Sequence, residues 1–253
     1  MHRSSTVFFA AAMLLTGCAS APALPGAQAG HPHDHDHEDA AHGHGEGHAH
    51  AHAHGDHEGG GMHRRFTDAN EWAKVFDDPG RDAWQRPGEV LRALELGPAM
   101  VVADVGAGTG YFAVRLARAV PQGEVIATDV EPDMVRYLGE RAGREQLGNL
   151  RAVRATQAAS GLAPRSVDRI LVVDVWHHLA DRVGYARDLG IALRPGGKLL
   201  VVDFTLTARR GPPVQHRLAP EAIVADLAAA GLTAKVSAVS LPDQYIVEAR
   251  PAP

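Results

Sequence analysis

The chain has 253 residues, 45% hydrophobic and 22% charged, with 25 basic and 30 acidic side chains and a formal net charge of −5 at neutral pH. This is enough material for one globular domain plus tails. The acidic balance, with no basic run interleaved by aromatics, leaves no nucleic-acid footprint, and the single cysteine, Cys18, excludes a disulfide framework.

The amino terminus carries Arg3, an apolar stretch at 7–15, then Thr16, Gly17 and Cys18. Nine apolar residues are too few to span a bilayer, so residues 1–18 are predicted to be a signal segment. Leu15-Thr16-Gly17-Cys18 resembles the lipobox of bacterial lipoproteins, which implies lipidation at Cys18, and Ala19 after it resembles the outer-membrane sorting pattern. The resemblance implies a lipid-anchored protein of the cell envelope, in the outer membrane and facing the periplasm. If the signal is not used, the alternative is a cytoplasmic protein.

Residues 19–63 consist mainly of Ala, Gly, Pro, His and acid, with almost no aliphatic side chain after Leu24, and predict a disordered linker. Of the 16 histidines in the chain, eleven lie between positions 31 and 57. His33, His35 and His37 alternate with aspartates, and His48, His50, His52 and His54 with alanines. Neutral imidazole ligates Zn²⁺, Cu²⁺, Ni²⁺ or Co²⁺, so these seven are candidate ligands for a divalent transition metal. A solvated, pH-sensitive tether is the alternative.

Residues 64–98 predict a helical segment; in the family that the glycine-loop region further on resembles, such helices form a lid. Asp68 and Glu71 have capping-box spacing ahead of the face made by Ala69, Trp72, Ala73 and Phe76. A second helix follows Asp78 and Pro79, is punctuated by Pro87, and resumes through Val90, Leu91 and Leu94. Between them, Arg81, Asp82, Trp84 and Gln85 are unusually concentrated. Trp72 and Trp84 either shape a pocket or dock the helices onto a core.

The chain is organised around residues 101–117, VVADVGAGTGYFAVRLA, where an apolar strand turns into alternating glycines and then an amphipathic helix. Glycines at 106, 108 and 110 allow positive φ and close backbone approach, and a new helix directs its first N–H groups at whatever lies in the loop. An anionic ligand end is therefore expected. Tyr111 stands where a dinucleotide fingerprint needs its third glycine, and no Gly-Lys-Ser/Thr follows as a phosphate loop requires.

Downstream, residues 123–129 predict a second strand ending in Asp129, placed to accept from ribose hydroxyls. Pro132 begins a helix that Asp133 is placed to cap, and residues 150–153 form a third strand. The fourth strand, 169–175, runs into Trp176, His177 and His178. Adjacent residues of an extended chain point oppositely, so one histidine at most enters a pocket. A helix over 181–193, a Pro-Gly-Gly turn, a strand over 199–204, a helix over 220–230 and strands over 233–241 and 244–250 complete the order, the last two joined at Pro242-Asp243. The total expected is six helices and seven strands.

Asp104 with Gly106, Gly108 and Gly110, the acid at 129, the His-His-Leu after strand four and the Pro-Gly-Gly turn together resemble class I S-adenosylmethionine-dependent methyltransferases over residues 76–250. The resemblance implies an α/β fold: a doubly wound, seven-stranded, mostly parallel, Rossmann-like sheet with an antiparallel C-terminal hairpin, occupying 99–253. It implies S-adenosylmethionine bound by Asp104, Gly106, Ala107, Gly108, Thr109, Gly110, Tyr111, Asp129, Val130, Thr156, Gln157, Asp174 and Val175. Many relatives have an acid after strand three; here Thr156 and Gln157 stand in its place. Candidate catalytic groups are His178, His177 and Asp174, with His216 able to close from a loop. The expected acceptor is a small or lipid-like molecule, and the expected protein a monomer. The alternative is a metal-binding envelope lipoprotein whose methyltransferase-like domain has no catalytic role.

Overall fold

The computed structural model of the chain describes residue 66 and residues 68–252. The expectations for Cys18, for the imidazoles at 33–54 and for the segments up to residue 65 lie outside the described residues. Among the described residues no helix is long and apolar enough to cross a membrane, and no group of three or more His, Cys, Asp or Glu is placed to hold a metal.

Three short helices precede the sheet: α1 (Ala69–Phe76), α2 (Arg81–Gln85) and α3 (Pro87–Leu94). Asp68 caps α1 by accepting from the Glu71 amide at 3.3 Å, but Glu71 turns outward to Lys74 at 2.7 Å, so the reciprocal half of the expected box is absent. Arg86 takes φ 47 and stops α2, and Pro87, with its fixed φ and no N–H to lose, starts α3. This break divides the expected second helix and brings the described α-helices to seven.

The remaining elements are β1 (Val101–Val105), α4 (Tyr111–Ala119), β2 (Glu124–Asp129), α5 (Pro132–Arg144), β3 (Leu150–Arg154), β4 (Val167–Val173), α6 (Arg182–Ala192), β5 (Leu193–Phe204), α7 (Pro220–Ala229), β6 (Leu232–Val236) and β7 (Gln244–Pro251). Short 3₁₀ turns occupy Trp176–His178 and Val214–His216. The seven strands form one sheet in the order β3-β2-β1-β4-β5-β7-β6, with β7 antiparallel to both its neighbours. The chain winds outward from β1 to β3, then returns to lay β4 on the other side of β1. That reversal opens a crevice at the carboxyl ends of β1 and β4.

Alternation along the strands supplies both faces of the sheet. Val102, Val125, Leu171 and Leu200 pack under α3, α4 and α5; Ala103, Ile126, Ile170 and Val201 pack under α6 and α7. Leu116 and Leu138 are wholly buried on the first side, and truncating either to alanine should cost about 2–5 kcal/mol.

Three boundaries differ from the sequence-based expectation. β4 ends at Val173, because Asp174 leaves the strand at φ 59. β5 begins at Leu193 and carries the Pro-Gly-Gly within it, where the pairing with β4 shifts register. β6 stops at Val236: Ser237 still donates its amide to Ile246, but its hydroxyl turns to Glu248, and Leu241 folds into the core. Asp133 does not cap α5, whose N-cap is Glu131; its carboxylate accepts instead from the Ala69 amide and ties α1 to α5.

Candidate functional site

Three acids and a glycine loop converge on the crevice. The loop between β1 and α4 is hung on β2: the amides of Gly106 and Ala107 donate to Thr128 O at 2.8 and 3.0 Å, and that of Gly108 to Asp129 Oδ2 at 2.8 Å. Gly110 donates to Ala107 O at 2.9 Å and takes φ 96 as N-cap of α4. Gly106 has φ 71, and a Cβ there would fall 2.3 Å from Val175 Cγ2, so glycine lets the segment just after β4 approach this closely.

Asp104 projects from the buried end of β1 with 2% exposure, and its Oδ2 has no hydrogen-bond partner among the described residues. Burial pushes its carboxyl up to about 7, with the Arg81 guanidinium opposing and Asp129 adding to the shift. Asp129, at the tip of β2, accepts from the amides of Gly108 and Glu131; burial raises its pKa and those two donors hold it back. Thr109 is buried with its hydroxyl unpartnered among the described residues. Tyr111, the first residue of α4, donates its hydroxyl to Asp82 of α2, and burial raises its pKa.

Across the crevice, Asp174 accepts from Gln244 Nε2, and its Oδ2 lies 3.9 Å from Arg81 Nη2. Burial pushes its carboxyl up to about 7, and the charge of Asp203 adds to the effect. The following residues form a 3₁₀ turn, not an extended strand, so the expectation that the two histidines point oppositely does not apply. Their rings stand 4.2 Å apart. His177, its side chain 3% exposed, places Nδ1 2.8 Å from Asp203 Oδ1. With Asp203 accepting, Nδ1 is the donor of this pair. His178 faces Phe66 edge-on at 6.1 Å. Trp176 is fully buried and donates to Asp226 at 3.2 Å, so it anchors the turn.

The helices before the sheet close over this crevice. Phe76 stacks on Trp72 at 5.2 Å, and its ring comes within 3.3 Å of where a Cβ on Gly108 would stand. Trp84 stacks on Phe204 at 6.0 Å. At the opposite end, Thr156 spends its hydroxyl on its own loop, accepting from the amides of Ala158 and Ala159 at 3.3 and 3.0 Å, while Val130 and Gln157 are exposed. His216 lies in the second 3₁₀ turn.

Sequence reasoning missed Asp203 and Gln244. Asp203 ends the apolar run Leu199–Val202 as Asp104 and Asp129 end theirs, a signal that was available. Gln244 reaches Asp174 only through the antiparallel pairing of β7 with β5, which no local pattern encodes.

Residues 102–197 match the family described as a methyltransferase domain. Among curated proteins, the ubiquinone/menaquinone biosynthesis C-methyltransferase of Pasteurella multocida is 32% identical over 111 residues, covering 41% of this chain and 40% of the relative. The demethylmenaquinone methyltransferase of Deinococcus radiodurans is 29% identical, covering 49% and 51%. The chain thus spans about half or less of these relatives' length. The crystal structure of a SAM-dependent methyltransferase from Aquifex aeolicus superposes with a TM-score of 0.65 at 27% identity, covering 72% of this chain and 97% of that one. Sheet order, glycine loop and these likenesses agree: residues 102–197 match a methyltransferase domain, and the folded part of the chain has the Rossmann-like fold of S-adenosylmethionine-dependent methyltransferases.

Proposed function

We propose that the protein transfers a methyl group from S-adenosylmethionine to a small or lipid-like acceptor. The observation that carries this reading is the Asp104 carboxylate, buried beside the glycine loop with an unpartnered oxygen, a place suited to a cationic amino group. The close approach at Gly106 and the acid at Asp129 fit the rest of such a donor.

When bound, the donor supplies an electrophilic methyl on a sulfonium, and the protein's main contribution is alignment of the reacting groups. The glycine loop would hold the amino-acid end, Asp129 would accept from the ribose hydroxyls, and Val130, Thr156 and Gln157 would border the adenine end. Asp174 and Val175 line the crevice opposite the loop. Where the acceptor must lose a proton, His177 Nε2, oriented through Nδ1 by Asp203, takes it. The aromatic cover of Phe66, Trp72 and Phe76 excludes water. Relatives named for ubiquinone and menaquinone biosynthesis support a ring-bearing, lipid-like acceptor. The lipobox-like Leu15-Thr16-Gly17-Cys18 supports an envelope address.

Incubating the full chain with donor carrying a labelled methyl and a total lipid extract tests the activity. Label should enter the organic phase with wild type and not with Gly106→Ala. No label with wild type, under conditions where donor binds, would refute transfer to a lipid-like acceptor.

A further inference from the structure

Residues 205–217, between β5 and α7, read TLTARRGPPVQHR, with three arginines and no acid. The loop is tied down along its length. Arg217 donates to the carbonyls of Ala208 and Pro212 at 2.7 and 2.8 Å and reaches those of Leu206 and Arg210 at 3.3 and 3.2 Å. The amides of Thr205 and Arg209 donate to Asp243 O and Oδ1 at 3.0 and 3.1 Å. Gly211, at φ 93, lies so close to Phe204 that a Cβ would fall 2.7 Å from the ring, which sets the loop flat against the last residue of β5.

This fixed loop keeps apolar side chains in water. Leu206 is 48% and Val214 59% exposed, and neither joins either core layer. On the same loop the Arg209 side chain is 78% exposed, and the Arg210 guanidinium lies 5.0 Å from the centroid of the Trp84 ring. The buried Asp243 carboxylate, 3.6 Å from Arg209 Nε and 3.1 Å from Arg210 Nε, offsets one of the three charges and leaves the loop net positive on a chain of net charge −5. Exposed aliphatic groups among excess cations complement an anionic bilayer, whose headgroups take the charge and whose acyl boundary takes the apolar groups. The loop also stands at the mouth of the crevice. It leaves the carboxyl end of β5 just after Asp203, the partner of His177, and Trp84 stacks on Phe204 at 6.0 Å. Phe66, where the described chain begins, faces His178 at 6.1 Å, so the amino-terminal residues join the domain at this same end of the sheet.

We propose that residues 205–217 dock the domain on an anionic membrane surface, with Leu206 and Val214 entering the headgroup layer and Arg209 pairing with lipid phosphate. The crevice then opens toward the bilayer. This rests on the reading of a lipid-like acceptor, which would enter the site without crossing water. Two half-exposed aliphatic groups and a small excess of charge make a weak, reversible contact, one that orients a domain held near the surface by other means.

The test follows the loop itself. Cys18 is the only cysteine, so the full chain with Cys18→Ala carries no acyl chain and accepts one new thiol for a polarity-sensitive fluorophore. The thiol is placed by Gln215→Cys, exposed in the loop, or by Ile191→Cys, 60% exposed where α6 ends at the opposite end of the sheet. With vesicles of equimolar phosphatidylcholine and phosphatidylglycerol, the label at 215 should brighten and shift to the blue, much less so with phosphatidylcholine alone. The label at 191 should not respond. Arg209→Gln should weaken the partition read at 215 about five-fold. Leu206→Ser with Val214→Ser should weaken it by at least about tenfold. Both variants change exposed groups and keep Arg217, and either keeps the test alive if the other does not fold. An equal response at 215 and 191, a response that neither variant weakens, or no response at all overturns the docking. So does a shift at 215 that grows with protein concentration without vesicles, which would assign the patch to a second copy of the chain. Calorimetric titration of the same protein with S-adenosylmethionine separates the two readings. Donor binding with no vesicle response overturns the docking alone; a vesicle response without donor binding upholds the docking and overturns the methyltransferase reading.

Discussion

Asp104→Asn is the most informative single change, because its effect on stability has a sign set by the structure. The Asp104 carboxyl is pushed from 3.8 to about 7 by burial, a gap of about three pH units worth about 4 kcal/mol. At 2% exposure, solvent screening discounts little of this. The folded chain keeps a proton that the unfolded chain releases between about pH 4 and 7, so stability falls as pH rises through that window and reaches its lower plateau above pH 7. Asparagine removes the titration. Its amide adds an unpaired buried donor costing about 1–3 kcal/mol, but equally at every pH. Thermal denaturation of the donor-free full chain at pH 5 and pH 8.5, followed by circular dichroism, isolates the difference. From pH 5 to the plateau about two of those units remain to be lost, about 2.7 kcal/mol, so the melting temperature of Asp104→Asn relative to wild type should be higher at pH 8.5 than at pH 5 by about 5–11 °C. Parallel pH profiles for the two proteins would refute the placement of Asp104 as a buried, unpartnered acid.

Gly106→Ala forces a side chain into φ 71 and against Val175, and should cost about 2–4 kcal/mol in urea denaturation together with donor binding; an unaltered midpoint would contradict the close approach. Asp203→Ala leaves the buried His177 Nδ1 and the Phe204 amide without their acceptor, a loss of about 2–4 kcal/mol; a change under about 0.5 kcal/mol would mean the pair is not formed. Cys18→Ala should move the protein from the membrane pellet to the soluble fraction after cell lysis, whereas unchanged fractionation would remove the lipid anchor.

The central strands β1, β2 and β5 were legible because each is an apolar run that ends in or beside an acid: Val101–Val105 with Asp104, Glu124–Asp129, and the run ending at Asp203. The helix count failed at Arg86, where an ordinary residue in left-handed geometry ends α2; only Pro87 hinted at the break. The strand over 233–241 was overextended because alternation continues past Val236, although Ser237 bonds to Glu248 and Leu241 enters the core. Within the site, the glycines and Asp129 are local signals. The ring of Arg81, Gln85, Gln244 and Asp174 is not, since it joins residues up to 159 positions apart through the lid and the reversed strand. The 3₁₀ turn at His177 likewise follows from Asp174 leaving the strand, a tertiary effect that the sequence WHH does not display.

The central claim, that the crevice between β1 and β4 takes S-adenosylmethionine, is tested most directly by calorimetric titration of the purified full chain with that donor and with S-adenosylhomocysteine. Saturable one-to-one binding of both, weakened at least tenfold in Gly106→Ala, is the predicted result. A folded wild-type protein that shows no heat of binding with either would contradict it.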